Sequence, residues 1–421
     1  MNITITPTKL KGTITPPPSK SQAHRLILAA ALAGGESVLS NMAMSQDIQA
    51  TLGCMQALGA KAALRGDALS ITGIGSRRTP CGACMCGIPH LDCGESGSTL
   101  RFLIPVALAV AGGGIFTGRG RLLSRPQEPY ANLFAAKGIF YAKEAQAITV
   151  GGVLTPGTYS LPGDVSSQFV TGLLYALPLL EGDSDIVLTS PLESKGYVDM
   201  TLLALRAFGV TAEETNRGYH IPGGQRYRPR PLTVEGDWSQ AGFYYAANGA
   251  GNAVDILGLN SSSAQGDKVV ADYYEILCRP GYAELDVSQC PDLVPPLAAH
   301  AALRGEGAVT YIKGPARLRI KESDRLAAVT QALNAMGAQV EEYPDSLTIH
   351  GRDHLDGGAT VDSCNDHRIA MMAAIAATRC LAPVTIIGAQ CVAKSYPNFW
   401  EDYEALGGQL IRSGAEKGES V

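Results

Sequence analysis

Apolar residues recur at helical spacing between Ser323, a candidate N-cap, and Gly337, which can adopt the left-handed conformation that ends many helices. The apolar positions are Leu326, Val329, Leu333 and Met336. Two segments of strand-like sequence follow, Gln339–Tyr343 and Ser346–His350, and a Pro-Asp pair separates them as in a hairpin. The pattern therefore predicts a helix, a glycine stop and a β-hairpin in succession.

The same succession recurs along the chain. Near the N-terminus, Asp47–Leu58 predicts a helix, and Ala62–Leu64 and Ala68–Thr72 predict the two strands that follow it. Six glycines, 56 to 79 residues apart, mark the ends of the predicted helices: Gly59, Gly138, Gly209, Gly281, Gly337 and Gly407. The copy around Gly281 is the weakest. We interpret the chain as one supersecondary unit used six times.

The repeats divide the chain into halves, because three of them precede residue 230 and three follow it. A length of 421 residues also exceeds what one hydrophobic core usually organises. Proline-rich stretches at Pro16–Pro18 and Arg226–Pro231 are the expected crossings, so that the N-terminal strand would join the C-terminal half. We predict an α/β (α+β) protein with a first domain of residues 1–17 plus 235–421 and a second domain of residues 18–234.

The composition is that of a globular protein, with 46% hydrophobic and 17% charged residues. A net charge of −5 argues against a nucleic-acid partner, since backbone phosphates need a broad basic face. The longest apolar run, Phe102–Phe116, contains a proline and three glycines and is too short to span a bilayer, so we expect a buried helix there. The N-terminus lacks the pattern of a secretory signal, and we therefore predict a cytoplasmic protein without a membrane partner.

Short loops that pair a cation with serine, glycine or a similar small residue recur far apart in the sequence. Such residues suit a phosphate or a carboxylate ligand. The loops are Pro18–Ser21 with Arg25, Gly94–Arg101, Ser124–Pro126, Arg319–Arg325, Asn365–Arg368 and Lys394–Pro397. Lys20 and Arg25 lie in the first turns of a predicted helix, where cations oppose the helix dipole unless an anion binds. The set predicts a local anion site in an acidic chain.

Several of these residues also have structural explanations. Glu322 and Asp324 can form exposed ion pairs with neighbouring cations, or a buried carboxylate among those cations can serve proton transfer. Asp292 can cap a helix or act as a general base, and the sequence does not separate the two roles. His367 can be a core histidine, which leaves Arg368 the better candidate for a ligand contact.

A group of cysteines at Cys81, Cys84, Cys86 and Cys93, with His90 nearby, raises the question of a metal site. Its spacing lacks the paired C-x2-C motifs of a zinc ribbon, so reduced cysteines of a variable loop are the favoured interpretation. The sequence contains neither a Walker loop nor a dinucleotide fingerprint, and we expect no metal and no cofactor.

Taken in their order along the chain, these motifs resemble those of the enolpyruvyl transferase family over essentially the whole sequence. The matching segments are Pro18–Ser21 with Arg25, Gly97 before Arg101, Ser124–Pro126, Ser166–Phe169, Lys321–Arg325, Asp366–Arg368 and Lys394 with Pro397. The resemblance implies two domains, each of three βαβαββ units in a pseudo-threefold inside-out barrel, with the active site in the interdomain cleft.

The resemblance also implies a reaction. The enolpyruvyl group of phosphoenolpyruvate would pass to the 5-hydroxyl of shikimate 3-phosphate by addition and elimination through a tetrahedral intermediate. No cofactor would take part, and the protein would act as a monomer. The step belongs to the shikimate pathway, which leads to chorismate and the aromatic amino acids.

Roles for individual residues follow from the same resemblance. Phosphoenolpyruvate would be bound by Lys20, Gly97, Arg125, Gln168, Arg325, Arg368 and Lys394. Shikimate 3-phosphate would be bound by Lys20, Ser21, Arg25, Ser166, Ser167, Gln168, Ser194, Tyr197, Asp292 and Lys321. Asp292 would act on the attacking hydroxyl and Glu322 on the proton at C3. Lys20 and Lys394 would stabilise developing charge or share in proton transfer.

Two positions depart from the family pattern, and two other functions remain open. Glu95 lies where many members have asparagine, and Arg317 lies where some have an asparagine that helps to hold the shikimate ligand. The nearest alternative is transfer to a UDP-amino sugar, UDP-N-acetylglucosamine, against which the Ser-Lys-Ser and Lys-Glu-Ser-Asp-Arg motifs stand. The other alternative is a non-catalytic phosphometabolite-binding protein, and the complete set of catalytic candidates argues against it.

Overall fold

The structure is a computed structural model that describes residues 1–75, 87–314 and 316–414. Within these ranges it has twelve α-helices: α1 (Lys20–Leu32), α2 (Gln46–Ala57), α3 (Gly97–Ala111), α4 (Glu128–Ala136), α5 (Ser167–Ala176), α6 (Lys195–Ala207), α7 (Trp238–Gly249), α8 (Val270–Leu277), α9 (Val294–Ala302), α10 (Arg325–Ala335), α11 (His367–Ala377) and α12 (Phe399–Ala405). The strands of the same ranges are β1 (Asn2–Thr6), β2 (Lys11–Ile14), β3 (Glu36–Ser40), β4 (Lys61–Arg65), β5 (Ala68–Thr72), β6 (His90–Asp92), β7 (Gly113–Thr117), β8 (Phe140–Lys143), β9 (Ala147–Gly151), β10 (Gly157–Leu161), β11 (Ser184–Leu188), β12 (Glu213–Thr215), β13 (Gly218–Ile221), β14 (Pro231–Thr233), β15 (Ala253–Ile256), β16 (Tyr282–Asp286), β17 (Val309–Lys313), β18 (Gln339–Tyr343), β19 (Ser346–His350), β20 (Thr360–Asp362), β21 (Val384–Ile387) and β22 (Gln409–Ser413). The predicted mixture of helices and sheets is confirmed.

The chain folds into two compact units, within which most residue contacts are made. The first unit is Met1–Pro17 with Gly236–Val421, and the second is Pro18–Glu235. The stretch Arg226–Pro231, which we expected to be a crossing, lies inside the second unit. The reason is that β14, which begins at Pro231, pairs in parallel with β3. The chain enters the first unit only after Glu235.

Three four-stranded sheets of one design form the second unit, in the strand orders β14-β3-β5-β4, β6-β7-β9-β8 and β10-β11-β13-β12. In each sheet the first two strands are parallel and the other neighbours are antiparallel. The last two strands of each sheet are a hairpin of the predicted kind. A helix connects the parallel strands that follow each other in sequence, as such a crossover requires.

The first unit repeats this design in the sheets β16-β17-β19-β18 and β20-β21-β1-β22. In the second of these sheets, the N-terminal strand β1 pairs antiparallel with both β21 and β22 and takes the place of a hairpin strand. This pairing confirms that the first strand of the chain joins its C-terminal half. A further sheet of the described residues is a single parallel pair, β2 with β15.

The six repeat glycines all have positive φ angles, from 66° to 107°, as the predicted helix stops require. In five copies the glycine leads into a strand that pairs antiparallel with its hairpin partner or, for β22, with β1. The interpretation of six equal units is wrong for the copy around Gly281. There the next strand, β16, pairs in parallel with β17 as the first strand of another sheet. The missing hairpin explains why only 56 residues separate Gly281 from Gly337.

The central helices of each unit are buried on nearly all sides. In the first unit, α7, α9 and α11 pack against one another, and every residue of α9 and α11 is buried. In the second unit, α3 packs against α5, and both are buried along most of their length. Helices such as α2 and α8 bury only part of their surface. Several candidate site residues lie at the N-terminal ends of the central helices.

The apolar run Phe102–Phe116 is not one helix. α3 ends before Gly112, which has a φ of 72°, and β7 follows directly. Pro105 lies inside α3 and cannot donate to the Arg101 carbonyl, but the Tyr130 hydroxyl donates to that carbonyl at 2.9 Å. The tyrosine therefore satisfies the backbone oxygen that the proline leaves without its usual donor. No helix in the described part of the chain is long and apolar enough to cross a bilayer.

The N-cap of α10 is Asp324 rather than the predicted Ser323. The Asp324 carboxylate accepts a hydrogen bond from the Ala327 amide at 3.2 Å, whereas the Ser323 hydroxyl donates to Asp366 at 3.0 Å. Because aspartate and serine cap helices about equally well, the sequence pattern could not distinguish the two neighbours.

Candidate active site

Arg25, in the second turn of α1, has a guanidinium group that is almost completely buried. It donates to the Tyr197 carbonyl through Nε and Nη2, to the Thr201 hydroxyl at 2.9 Å and to the Ser21 carbonyl at 2.7 Å. The group also lies over the rings of Phe102 and Tyr197. Because these partners are neutral, burial lowers the pKa of Arg25 to about 10. An anion that binds here would therefore meet a cation held by neutral oxygens.

Lys20 is the first residue of α1, which Ser19 caps. Its Nζ lies 2.8 Å from Oδ2 of Asp47, which is in the first turn of α2. Ser21 follows Lys20, and its carbonyl is one of the acceptors of Arg25. The first turn of α1, all of which the structure describes, contains no acidic residue. Its peptide dipoles and Lys20 therefore both favour an anion.

The start of α3 lies against a second arginine. Gly97 is the first residue of the helix, after the N-cap Ser96. A Cβ atom on Gly97 would be 2.7 Å from Nη1 and 2.9 Å from Cζ of Arg125, so only glycine allows the guanidinium group to pack here unchanged. Arg125 is 5% exposed. The helix N-terminus and this arginine are a second place for an anion.

Gln168, in the first turn of α5, is held by two side chains of α3. Nη1 of Arg101 donates to Oε1 of Gln168 at 2.7 Å, and Nε2 of Gln168 donates to the Ser98 hydroxyl at 2.9 Å. Arg101 also donates to the Pro126 carbonyl and lies over the ring of Phe169. The sequence motif contained Arg101 but did not suggest that it orients Gln168.

Three of the four serines predicted to bind shikimate 3-phosphate lie at the starts of α5 and α6, and the fourth is Ser21 in α1. The Ser166 hydroxyl caps α5 and accepts from the Gln168 amide at 3.3 Å. Ser167 is the first residue of the same helix and is buried. Ser194 precedes α6 with a φ of 55°, which is unusual for serine. Tyr197, in the first turn of α6, contacts Arg25 through its carbonyl and its ring.

In the first unit, three carboxylates surround Arg325, which is 1% exposed at the start of α10. Its Nε donates to Asp366 at 2.9 Å, its Nη1 to Asp292 at 3.0 Å and its Nη2 to Glu322 at 2.7 Å. Burial alone would lower the pKa of Arg325, but the three carboxylate charges raise it. The charge of Arg325 is therefore compensated within the unit.

Asp292 is shared by three cations. It lies in the 3-10 turn Pro291–Leu293 and does not cap α9, so the capping alternative is wrong. In addition to Arg325, Nζ of Lys321 lies 3.3 Å from its Oδ1, and Nη2 of Arg368 lies 3.2 Å from its Oδ2. Arg368 also donates to the Asp292 carbonyl at 3.0 Å. The turn and the charges together fix the position of this carboxylate.

Asp366 connects Arg325 and Arg368. It is completely buried at the N-cap of α11, where its Oδ1 accepts from the Arg368 amide at 3.0 Å. Its Oδ2 accepts from Nε of Arg325 and from the Ser323 hydroxyl. Asp366 belongs to the motif Asp366–Arg368, but the sequence pattern assigned it no role. Its place directly before an apolar helical pattern was the available signal for a cap.

Lys394 lies at the end of the 3-10 segment Ala389–Lys394 and is buried. Its Nζ donates to the Asn365 carbonyl at 2.7 Å. Asn365 and the residue before it, Cys364, both have positive φ angles, so the chain turns tightly ahead of α11. His367, the first residue of α11, is 2% exposed, which is compatible with the core-histidine alternative.

Three other charged residues have local explanations. Arg319 binds Asp324, a second carboxylate and two carbonyls at the β18–β19 hairpin, so it has a structural role. Arg317 donates to a backbone carbonyl at 2.5 Å. The Glu95 carboxylate lies against Gly120, where an added Cβ would be 2.8 Å from its Oε2.

The question of a metal at the cysteine cluster concerns Cys81, Cys84 and Cys86, which lie outside the described residues. Cys93 is buried, and its burial raises the pKa of its thiol well above the usual value. Within residues 1–75, 87–314 and 316–414, no group of three or more histidine, cysteine, aspartate or glutamate side chains is arranged to hold a metal ion.

Solved structures define the class of protein. EPSP synthase from Acinetobacter baumannii matches with a TM-score of 0.77 and 25% identity, over 98% of this chain and 100% of that chain. The enolpyruvyl transferase NikO from Streptomyces tendae matches with a TM-score of 0.76 over 98% and 99%, but its 18% identity shows likeness of fold alone. The fold of this chain is that of the enolpyruvyl transferases.

Sequence comparison gives the family. The sequence model described as EPSP synthase (3-phosphoshikimate 1-carboxyvinyltransferase) matches residues 5–279 and 279–403. A 3-phosphoshikimate 1-carboxyvinyltransferase from Clostridium kluyveri is 43% identical over 97% of this chain and 98% of its own. Its namesake from Clostridium perfringens (strain 13 / Type A) is 44% identical over 97% and 99%. The chain belongs to the EPSP synthase family and is a transferase, so the resemblance seen in the motifs is confirmed.

Proposed function

We propose that this chain transfers the enolpyruvyl group of phosphoenolpyruvate to the 5-hydroxyl of shikimate 3-phosphate, forming 5-enolpyruvylshikimate 3-phosphate and phosphate. Its family and its named relatives support this reaction. The observation that carries the mechanism is the Asp292 carboxylate, which Lys321, Arg325 and Arg368 share. Clustered cations suit two anionic substrates, and carboxylates beside them suit proton transfer.

Phosphoenolpyruvate carries a carboxylate and a phosphate, and both suit the planar N–H pairs of arginine. In this proposal it is bound by Lys20, Gly97, Arg125, Gln168, Arg325, Arg368 and Lys394. The Gly97 contact would use the peptide N–H groups at the start of α3. The contacts of Arg101 and Ser98 with Gln168 support a fixed orientation for its amide.

Shikimate 3-phosphate carries a phosphate, a carboxylate, hydroxyl groups and a ring face. The residues proposed for it are Lys20, Ser21, Arg25, Ser166, Ser167, Gln168, Ser194, Tyr197, Asp292 and Lys321. Arg25 has neutral acceptors and the serines lie at helix starts, which suits the phosphate and carboxylate groups. Tyr197 offers an aromatic ring to the sugar-like face.

The chemistry is an addition followed by an elimination. The oxygen of the 5-hydroxyl attacks C2 of phosphoenolpyruvate, its proton passes to Asp292, and C3 takes up a proton, which gives a tetrahedral adduct with a methyl group. The bond from C2 to the phosphate oxygen then breaks, C3 loses a proton, and the double bond re-forms. Glu322 is proposed to handle the proton at C3, while Lys20 and Lys394 stabilise the developing charge or share in proton transfer.

The contacts of Asp292 suggest how binding and base catalysis are linked. Arg325 and Arg368 donate to Asp292, and both are proposed to bind phosphoenolpyruvate. The substrate carboxylate would compete with Asp292 for the same N–H groups. A substrate that takes those donors leaves Asp292 with fewer cations, and a carboxylate with fewer cationic partners is a stronger base.

Phosphate release from phosphoenolpyruvate by purified, chelator-treated protein tests the proposal. Parallel reactions contain shikimate 3-phosphate, UDP-N-acetylglucosamine or no acceptor. We expect release only with shikimate 3-phosphate. Release only with the UDP sugar would assign the chain to the other transfer reaction, and no release with either would favour a binding protein.

Asp292→Asn and Glu322→Gln test the assigned roles in the same assay. Each should lower kcat by about a hundredfold or more, because a positioned acid or base contributes about that much. A matched control is Glu342→Gln. The Glu342 carboxylate lies 2.6 Å from Nη1 of Arg319 and has no part in the proposed chemistry. Parental turnover in Asp292→Asn or Glu322→Gln would remove the role of that residue.

We also propose that the enzyme acts in the cytoplasm as a monomer. Sedimentation equilibrium of the purified protein tests the oligomeric state, and a mass near 44.0 kDa is expected. A mass near twice that value would contradict the monomer.

A further inference from the structure

Four buried polar side chains of the second unit form a continuous chain of hydrogen bonds. Nδ1 of His24 lies 2.7 Å from Oγ1 of Thr51, which lies 2.6 Å from Oγ1 of Thr99. The Thr99 hydroxyl donates to Oγ of Ser96 at 2.7 Å. None of the four residues is more than 1% exposed. The chain joins α1, α2 and α3, which contain His24, Thr51 and Thr99 in that order.

The proton positions along this chain are fixed by counting donors. Each hydroxyl has one proton, and that of Thr99 is directed to Ser96. Thr99 must then accept the proton of Thr51, and Thr51 must accept from Nδ1–H of His24. Nδ1 of His24 therefore carries a proton, and its buried Nε2 has no hydrogen-bond partner among the described residues, which favours the neutral form of the ring.

The charges around His24 agree with this neutral form. Burial is the main cause that lowers the pKa of His24 well below its usual value, and the cations Lys20 and Arg25 lower it further. The ring also meets Phe102 edge to face. An imidazolium at this position would place a third positive charge beside two others.

The hydrogen-bond chain ends at Ser96, the N-cap of α3. Oγ of Ser96 accepts both the Thr99 hydroxyl and the Thr99 amide, and so caps the helix. The next residue is Gly97, which packs against Arg125. Ser98 follows and accepts from Gln168. His24, at the other end of the hydrogen-bond chain, is one helical turn from Lys20 in α1.

We propose that His24, Thr51, Thr99 and Ser96 form an oriented chain of hydrogen bonds that positions the N-terminus of α3 relative to α1 for phosphoenolpyruvate. The inference rests on the proposed function, because it takes the α3 N-terminus to be part of the phosphoenolpyruvate site. The four side chains are positioning residues rather than catalytic ones. Lys20 and Gln168 are proposed to bind both substrates, but Arg25, which is proposed for shikimate 3-phosphate alone, and its acceptors Tyr197 and Thr201 are not members of this set of hydrogen bonds. Binding of shikimate 3-phosphate should therefore depend on it less than binding of phosphoenolpyruvate does.

Thr99→Val tests whether the hydrogen-bond chain affects binding of phosphoenolpyruvate more than binding of shikimate 3-phosphate. Valine has nearly the shape of threonine but breaks the chain at its centre. We expect the KM for phosphoenolpyruvate to rise about tenfold, the loss expected from one or two buried hydrogen bonds, with the KM for shikimate 3-phosphate within about twofold of the parent. Thr99→Ser retains the hydroxyl and should restore the KM for phosphoenolpyruvate to within about threefold.

Thr171→Val is the matched control. Thr171 is equally buried in α5, and its hydroxyl bonds Thr201 at 3.0 Å rather than any member of the chain. This control should leave the KM for phosphoenolpyruvate unchanged, although it also removes a buried hydroxyl. Equal rises in both KM values for Thr99→Val, or a rise for phosphoenolpyruvate in Thr171→Val as well, would show a merely structural effect and overturn the proposal.

A second measurement does not depend on turnover. Imidazole nitrogen-15 NMR of the parent, with the His24 signals identified by their loss in His24→Asn, should show Nδ1 protonated and Nε2 unprotonated at pH 7. A His24 protonated on Nε2 would overturn the proton order and with it the oriented chain. A parent protein without turnover would refute the proposed function instead, and this NMR result would still decide whether the chain is ordered.

Discussion

Arg25 and Arg325 have similar places in the two units but opposite surroundings. Each lies near the start of a helix and is almost completely buried. Arg25 donates to two backbone carbonyls and a hydroxyl, and burial lowers its pKa to about 10. Arg325 donates to three carboxylates, which together raise its pKa against the effect of burial. One repeat design thus supports two different electrostatic environments.

The helix caps follow the same division. Serine side chains cap α1, α2, α3 and α5 in the second unit, whereas aspartate side chains cap α7, α10 and α11 in the first. Both residues satisfy the helix N–H groups, but only aspartate adds a negative charge. We infer that the second unit keeps its positive helix starts for anionic ligands. In the first unit, carboxylates compensate the charge of Arg325, and the proposed function assigns proton transfer to two of them, Asp292 and Glu322.

The largest expected effect comes from removing the cation that three carboxylates share. Arg325→Met should lower the free energy of unfolding by about 3–5 kcal/mol, because Asp366 would remain buried without its main partner. Arg25→Met should cost only about 1–2 kcal/mol, since it leaves neutral acceptors unpaired. Urea unfolding of both variants measures the difference. Equal losses would show that the two environments do not differ in the way described.

Acid should weaken each unit through one buried histidine. Burial, with a contribution from Arg304, lowers the pKa of His300 to about 4 in the first unit, and burial likewise lowers the pKa of His24 in the second. As the pH falls, the histidine of the unfolded state, with a pKa near 6.5, binds a proton before the buried histidine of the folded state does. The contribution to the free energy of unfolding is therefore fully present above pH 6.5 and is lost at lower pH. For His300 the loss is about 3 kcal/mol by pH 4.

His300→Gln provides the check on this pH dependence. Urea unfolding of the parent and the variant between pH 7 and pH 4 should show a shallower decline for the variant, because it lacks the titrating group. Identical pH profiles would mean that His300 does not contribute. His24→Asn should likewise make the decline of the free energy of unfolding with falling pH shallower.

A methyl group at the start of α3 should act on substrate binding more than on stability. Gly97→Ala would displace the Arg125 guanidinium group, which a Cβ would approach to 2.7 Å. We expect the KM for phosphoenolpyruvate to rise about tenfold, equivalent to about 1.4 kcal/mol. Gly53→Ala in α2 is the matched control, because beyond the adjoining helix backbone its Cβ would meet no atom within 4 Å. An unchanged KM in Gly97→Ala would contradict the contact with Arg125.

The smallest effect is expected at a carboxylate of the first unit that has only a structural role. Asp324→Asn keeps the cap of α10 but loses the charge beside Arg319, a pair that is partly exposed. The free energy of unfolding should fall by less than about 1 kcal/mol, and kcat/KM should stay within about twofold. A large loss of activity would move Asp324 into the catalytic group.

Sequence alone predicted the features that depend on local pattern. The repeat glycines, the hairpins and the helix from residue 47 follow from backbone conformation and periodicity, and β1 was placed correctly because it lacked a neighbouring partner. The break of α3 at Gly112 was missed because apolar residues continue into the buried strand β7. The incomplete copy around Gly281 was missed because a glycine stop does not specify which strand comes next.

The sequence indicated the residue types of the candidate site but not the contacts among them. Arg101 and Gln168 are 67 residues apart, and Arg325 and Asp366 are 41 apart, so no spacing rule connects them. The contrast between Arg25 and Arg325 is also invisible in sequence, since both are arginines near helix starts. It arises from which acceptors the fold brings to each guanidinium group.

In the proposed mechanism, carboxylates of the first unit transfer protons while the positive helix starts hold the substrates. Turnover in D₂O tests it most directly, because addition and elimination exchange hydrogen at C3. We predict deuterium in the vinyl group of the product by mass spectrometry, with turnover in Glu322→Gln reduced at least a hundredfold and turnover in Glu342→Gln unchanged. Product without deuterium, or parental turnover and exchange in Glu322→Gln, would contradict the account.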